Sequence, residues 1–503
     1  MEANRTETTE KILSQVIEII AETADVEPSA IDPDADLTKE LDVDSLMFLE
    51  ICLALEERFS IRIPQEDYTR CVTANECAKY VADALSGNVE KKEEPKAKVT
   101  PITRFEDSPE YAELQARIAA AGDNNPYFVC HDSPLTDTSV MNGKTVLNFG
   151  SYNYVGMSGR PETVKAAKDA CDKYGTSASG SRLLGGEKPL HGELERAIAK
   201  WKHAESALVL VGGHSTNVTI VGNFCGKNDL IVYDALAHNS INEGCRLSDA
   251  ESRPFPHNDY EALDRMLNSV RNDYEKVLIV IEGAYSMDGD VAPVPEFVRI
   301  KKKYGCFLMV DEAHSACVLG KTGGGVDEHF GLEGDDVDIK MGTLSKGLGT
   351  CGGYLAGKKC LIEYLRYSLP GFVFSVGMAP PLAAAALKAV ELLQSEPKII
   401  EDLHRNIRVF AEEARKRKLD ICLAGETAIL PVMIGKDEDA FALSMALGEM
   451  GVFVPPAVYP AVPKNKARLR FCVISEHKPE QIVYALDALE KAAQMLGITL
   501  PRV

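Results

Sequence analysis

The chain has 503 residues, 45% hydrophobic and 26% charged, enough for two or three domains around a large buried core. Its formal net charge of −21 argues against nucleic acid as a partner, and no apolar run approaches the roughly 20 residues that span a bilayer. The 13 cysteines are scattered with no CxxC pair, which fits free thiols in a reducing compartment better than disulfides or a metal site. With a polar N-terminus that lacks a signal-peptide core, a cytoplasmic enzyme is the expectation.

Residues 1–85 carry 20 acidic and 7 basic side chains, a net of −13, which leaves −8 for the rest. Ile12, Leu13, Val16, Ile17 and Ile20 recur at helical spacing, so a helix is predicted over 8–24. A loop with Pro28, Pro33 and several aspartates follows. Asp44 stands at an N-cap position, with Ser45 in the first turn of a second helix through Leu46, Leu49 and Leu53. Thr73 and Glu76 form a capping-box pattern that opens a last helix through Leu85. The module reads as a bundle of about three main helices.

Over roughly residues 5–85 the module resembles an acyl carrier protein. The matching residues are Asp44-Ser45-Leu46, the acidic helix with Glu50, Glu56 and Glu57, and Ile63-Pro64. The resemblance implies a 4'-phosphopantetheine arm on Ser45, placed there by a phosphopantetheinyl transferase and charged by an acyl-loading enzyme. A phosphodiester in the first turn of a helix would face unpaired amides and the positive end of the dipole. The stretch Ser86–Thr103 is charged and poor in apolar residues, and 86–106 reads as a flexible linker before a second domain over 107–503.

From Asn148 onward short apolar runs alternate with amphipathic stretches. Strands are predicted at Ala207–Val211, Leu230–Tyr233, Val277–Ile281 and Phe307–Val310, and helices at Tyr260–Val270 and Glu296–Lys303. The pattern implies α/β with a mainly parallel sheet, so chemistry belongs at the carboxyl ends of strands. Gly213 and His214, Asp234 and His238, Glu282 and Ser286, and Asp311 and His314 all fall there. A large domain over about 150–370 and a C-terminal α+β subdomain over about 371–503 are expected. VDEAH at Val310–His314 and GKT at Gly320–Thr322 do not make an ATPase. The phosphate loop needs a glycine where Ser315 stands, and the order of the two elements is reversed.

The stretch MGTLSKGLGTCGGY, Met341–Tyr354, sets Lys346 among small residues. Pyridoxal 5'-phosphate (PLP) asks for three partners: a lysine for its aldehyde, an aspartate for its ring nitrogen, and helix-start amides with hydroxyls for its phosphate. Lys346, Asp311, and Gly213 with Thr343 supply one each. The small neighbours of Lys346 are expected to leave room for the ring.

Residues 107–503 resemble the α-oxoamine synthases, a family with the fold-type I, aspartate aminotransferase-like architecture. The family includes 8-amino-7-oxononanoate synthase, 2-amino-3-ketobutyrate ligase, 5-aminolevulinate synthase and serine palmitoyltransferase. The resemblance rests on NFGSYNYVG, GSRLLGG with His191, DALAHNS, His257-Asn258-Asp259, EGAYSMDGD, VDEAH, TLSKGLG, PGFVFS and ARLRFCVISEH, in that order. It implies that Lys346 forms the Schiff base and moves the Cα proton, that Asp311 pairs with the ring nitrogen, and that His314 bonds the ring oxygen. His238 would stack on the ring and take part in proton transfer, and Ser286 and Thr343 would contact the cofactor. Ser375 would reach the phosphate from the other subunit of a homodimer. Arg470 would clamp the amino acid carboxylate, and Asn153 would touch substrate across the dimer. His214 replaces the family's usual aromatic after the glycine. His191 and His257 read as structural hydrogen bonders, and Glu282 as an organiser of neighbouring groups rather than an acid. The expected reaction is a condensation, usually decarboxylative, of an amino acid with an acyl thioester carried on Ser45 or supplied as acyl-coenzyme A.

Overall fold

The computed structural model describes residues 2–24, 26–41, 43, 45–86, 101–121 and 126–503. They form two compact units, Met1–Ala120 and Ala121–Val503. The predicted Asp44 cap, the side chain of Ser45 and residues 87–100 of the predicted linker lie outside the described residues. The division falls later than the expected start at 107, because the helix Pro109–Ala121 groups with the first unit.

The first unit holds helices Glu2–Ala24, Ser45–Phe59 and Ala74–Leu85. Their apolar faces meet in a core of Val16, Ile20, Leu37, Ile51, Leu55, Cys71, Cys77 and Val81. Each such side chain, removed from water, contributes about 1.5–3 kcal/mol. The third helix opens with a complete capping box: Thr73 Oγ1 accepts from the Glu76 N–H, and the Glu76 carboxylate accepts from the Thr73 N–H. Two orphan amides are thereby satisfied at the helix start.

The second unit is built on a seven-stranded sheet: β1 (Ser206–Leu210), β2 (Leu230–Asp234), β3 (Glu251–Phe255), β4 (Val277–Glu282), β5 (Phe307–Asp311), β6 (Ile339–Thr343) and β7 (Gly353–Gly357). The spatial order is β1-β7-β6-β5-β4-β2-β3, and β7 runs antiparallel to both of its neighbours. Every residue of β2 and β4 is buried, as both-faced helix cover requires, which is why those strands read as unbroken apolar runs. β2, β4, β5 and β6 all end at polar residues, so their C-terminal ends open onto one cleft.

Among the described residues of the second unit, two lysines are fully buried in ion pairs. Lys202 and Lys340 are fully buried, with Lys202 Nζ 2.8 Å from Glu312 Oε1 and Lys340 Nζ 2.6 Å from Asp327 Oδ2. Lys340 Nζ also donates to the Lys202 carbonyl at 3.0 Å.

The C-terminal subdomain differs from its predicted limits at both ends. The helix Pro380–Ser395 shares a core with Leu194, Ile198 and Val209 of the large domain, because its alanine-rich face lets other helices approach closely. The strand Lys144–Asn148, far earlier in the chain, pairs in parallel with Val452–Phe453. Phe149, just beyond it, sits in the core of the C-terminal subdomain with Phe410 and Phe471. A three-stranded antiparallel sheet, Ile429–Gly435, Ala467–Cys472 and Pro456–Ala457, carries Arg470 on its middle strand. Among the described residues no helix is long and apolar enough to cross a membrane.

Candidate active site

The cleft is assembled from the strand ends. Asp311 is the last residue of β5 and is buried. Its Oδ1 accepts from the Ala313 N–H at 2.9 Å and its Oδ2 from Asn217 Nδ2 at 2.7 Å. Glu282 ends β4, and its Oε1 accepts from the His238 N–H at 2.6 Å. Burial, reinforced by the charge of Asp311, pushes the Glu282 carboxyl well above the usual range. Glu282 therefore shapes the backbone at His238, as the sequence reading expected.

Lys346 and His314 meet directly, Nζ to Nε2 at 2.7 Å. The other imidazole nitrogen, Nδ1, lies 2.7 Å from the Tyr154 hydroxyl. Burial, with the neighbouring Lys346 and Arg470 cations, holds His314 well below the ordinary histidine value. A protonated Lys346 can only donate, so Nε2 accepts and Nδ1 carries the proton toward Tyr154. Burial also lowers Lys346 to about 8. The neutral amine is the nucleophile toward an aldehyde. Uptake of PLP by cofactor-free protein should therefore speed up about tenfold per pH unit below 8 and level off above it. Stopped-flow absorbance reads this directly, and a rate still climbing at pH 10 would show an unperturbed lysine.

The glycines near Lys346 have a different cause from the one expected. Gly349 has φ +66°, and a Cβ there would lie 2.4 Å from the Ser158 nitrogen; at Gly347 it would lie 2.5 Å from Cys317 Cβ. They let the lysine turn pack against its own backbone surroundings. Gly213 is the glycine that serves the cleft: a Cβ there would come within 2.6 Å of Thr343 Oγ1. The helix Gly213–Phe224 opens at this point with no side-chain cap, so its first amides start beside the Thr343 hydroxyl. His214 is exposed there, with its ring edge-on to His238 at 6.1 Å between centroids.

His238 caps the helix Asn239–Leu247, its Nδ1 accepting from the Ser240 N–H at 3.2 Å. Arg470, 4% exposed, donates from Nε to the Ser286 carbonyl at 2.6 Å. Its Nη2 is buried without a partner among the described residues, a free donor that suits a substrate carboxylate. Ser286 thus orients the arginine through its backbone. Tyr152, quoted within NFGSYNYVG but given no role there, lies under both cations, 4.9 Å from the Arg470 guanidinium and 5.7 Å from Lys346 Nζ. Asn153 is buried, with Nδ2 donating to the Leu135 carbonyl and Oδ1 accepting from the Ser158 N–H. Its side chain organises a loop within this chain. Ser375 is half-buried beside the exposed Phe374.

The two histidines read as structural are so. His191 is buried against the Met378 carbonyl at 2.8 Å. His257 bridges Asp234 at 2.9 Å and Asp290 at 3.1 Å. Burial opposes its charge, but the two carboxylates outweigh this and raise it to about 10.

Residues 144–489 match the family model of class I and II aminotransferases, and residues 14–81 match that of the phosphopantetheine attachment site. An 8-amino-7-oxononanoate synthase of Thermoanaerobacter pseudethanolicus is 40% identical over 367 residues, covering 73% of this chain and 92% of that one. A serine palmitoyltransferase structure from Sphingomonas wittichii superposes with a TM-score of 0.75 at 34% identity, over 80% of this chain and 100% of that one. A structure of SPT with PLP gives 0.74 at 32% identity, over 77% and 97%.

The chain is an α-oxoamine synthase with a fused carrier domain. The synthase uses PLP, and the carrier takes 4'-phosphopantetheine. Its own residues fit the cofactor: Lys346 for the aldehyde, Asp311 for the ring nitrogen, and the uncapped helix at Gly213 with Thr343 for the phosphate. When bound, PLP supplies the electron sink that lets bonds to an amino acid Cα break heterolytically. The synthase is an acyltransferase that condenses an amino acid with an acyl thioester.

Proposed function

We propose that the acyl group arrives as a thioester on the phosphopantetheine arm of Ser45. Arg470 holds the amino acid carboxylate, and Lys346 takes the Cα proton beside His238. The new bond joins Cα to the thioester carbonyl carbon. The carrier thiolate leaves and is protonated, the carboxylate departs as carbon dioxide, and Cα takes a proton from solvent in its place, giving an α-amino ketone. The observation that carries this reading is the carrier module on the same chain as the synthase. A tether raises the local concentration of the acyl arm to the millimolar range for a short flexible linker. A phosphopantetheinyl transferase and an acyl-loading enzyme are the partners this requires. We place Ser375 at the phosphate of a second copy in a homodimer, with the exposed Phe374 beside it as support.

A second reading draws on the relatives. The Thermoanaerobacter enzyme aligns over 92% of its length within 367 residues, which leaves no room in it for a carrier domain. Free acyl-coenzyme A would then be the donor here as well, with the carrier docking another enzyme. Full-length protein acylated on Ser45, and a Ser45→Ala variant given acyl-coenzyme A, separate the two. Single-turnover ketone formation from the loaded chain at least tenfold faster than from equimolar acyl-coenzyme A supports delivery in cis. Equal rates, with Ser45→Ala fully active, would overturn it.

A further inference from the structure

The structure assigns to Asn217 and Ser240 a positioning bridge that joins the aspartate of the ring nitrogen to the histidine on the ring face. Asn217 lies in the helix Gly213–Phe224 and Ser240 in the helix Asn239–Leu247; both are buried. The Asn217 amide spends one N–H on Asp311 Oδ2 at 2.7 Å and the other on Ser240 Oγ at 2.9 Å. Ser240 Oγ lies 2.7 Å from His238 Nδ1.

Donor accounting fixes the direction of the whole chain. Turning the Asn217 amide over would set its oxygen against the Asp311 carboxylate, so the nitrogen must face both partners. Ser240 Oγ accepts from that nitrogen and has one proton left to give. Nδ1 already accepts from the Ser240 backbone N–H, so it also receives the hydroxyl proton. A neutral His238 then carries its own proton on Nε2, the nitrogen left free. Asn217 Oδ1 is buried with no partner among the described residues. An unpaired buried carbonyl is costly, and the two N–H bonds are what hold the amide in this pose. The bridge thus holds the Asp311 carboxylate in place and His238 in a single tautomer and orientation. It acts through those two residues and needs no contact of its own with the cofactor.

The inference rests on the cleft being the PLP site and is independent of the acyl donor. The test uses full-length Asn217→Ala, Ser240→Ala and the double variant, with Ser240→Thr to restore the hydroxyl. PLP dissociation constants come from fluorescence, the pH dependence of the bound cofactor's visible absorbance from titration, and folding from circular dichroism. Removing a hydrogen bond to the charged Asp311 should weaken PLP binding about tenfold to a hundredfold in Asn217→Ala and displace the pH profile. Ser240→Ala should displace the profile in the same direction, with Ser240→Thr closer to the parent. The double variant should be no worse than Asn217→Ala alone, as members of one network are not additive. Unchanged affinity and pH profile in folded single variants, or strictly additive losses, would overturn the bridge. Parent protein that takes up no PLP would overturn the reading of the cleft and the bridge with it, and that result is told apart from loss confined to the variants.

Discussion

Lys346→Ala should lower turnover by about 10²- to 10⁴-fold, the span associated with losing a positioned proton-transfer group. Borohydride reduction of the parent protein with PLP, followed by peptide mass mapping, should place the pyridoxyl mass on the peptide holding Lys346. In the variant that mass should be absent. The specificity of this expectation comes from what surrounds the buried lysines. Lys202 and Lys340 are fully buried, yet each is held in an ion pair with a carboxylate, Glu312 or Asp327. Lys346 instead faces the Nε2 of a neutral imidazole at 2.7 Å, and burial has already brought it down to about 8. Its neutral form is therefore within reach at working pH. Label on another lysine, or turnover within tenfold of the parent, would refute its role.

Arg470→Lys should raise KM for the amino acid by about tenfold to a hundredfold while leaving KM for the acyl donor unchanged. A charge-assisted hydrogen bond is worth about 1.5–3 kcal/mol, and each 1.4 kcal/mol is a factor of ten. Lysine keeps the charge but loses the fork that binds both carboxylate oxygens at once. Because the arginine grips the carboxylate before and during reaction, the loss should fall more on KM than on kcat. The variant also gives up the Nε bond to the Ser286 carbonyl, so a melting curve should accompany the kinetics. Equal changes in both KM values would show a general disturbance of the cleft and would remove Arg470 as the carboxylate clamp.

The individual side chains at the strand ends were legible because a parallel sheet forces a simple rule. Each buried strand is a short apolar run, and the residue that stops the run stands at the cleft. Asp234, Glu282 and Asp311 are all of this kind, and the local signal needs no knowledge of which strands are neighbours. The capping box at Thr73 and Glu76 was equally local. The tyrosines were not. Tyr152 and Tyr154 belong to the quoted NFGSYNYVG stretch, but Asn153 between them drew the attention. The Tyr154 N–H donates to the Tyr152 carbonyl at 2.8 Å, so the three residues form a tight turn. There Tyr154 faces the His314 imidazole and Tyr152 the two cations, while Asn153 is tied to a loop. Such a turn leaves no periodic signal in the sequence.

By itself, the sequence determined the acidic helical module, the α/β class and the short stretches that hold Lys346 and Asp311. These depend on charge, periodicity and residue chemistry over short stretches. Only the tertiary structure decided the rest. It returned Lys144–Asn148 to the side of Val452–Phe453 and gave the helix Pro380–Ser395 to the large domain. It also drew Asn217, Ser240 and His238 into one line ending on Asp311. The reason is that hydrogen-bond partners far apart in sequence leave no periodic trace. An asparagine in a helix looks the same whether it meets water or a buried carboxylate, and only packing brings the second partner within 3 Å.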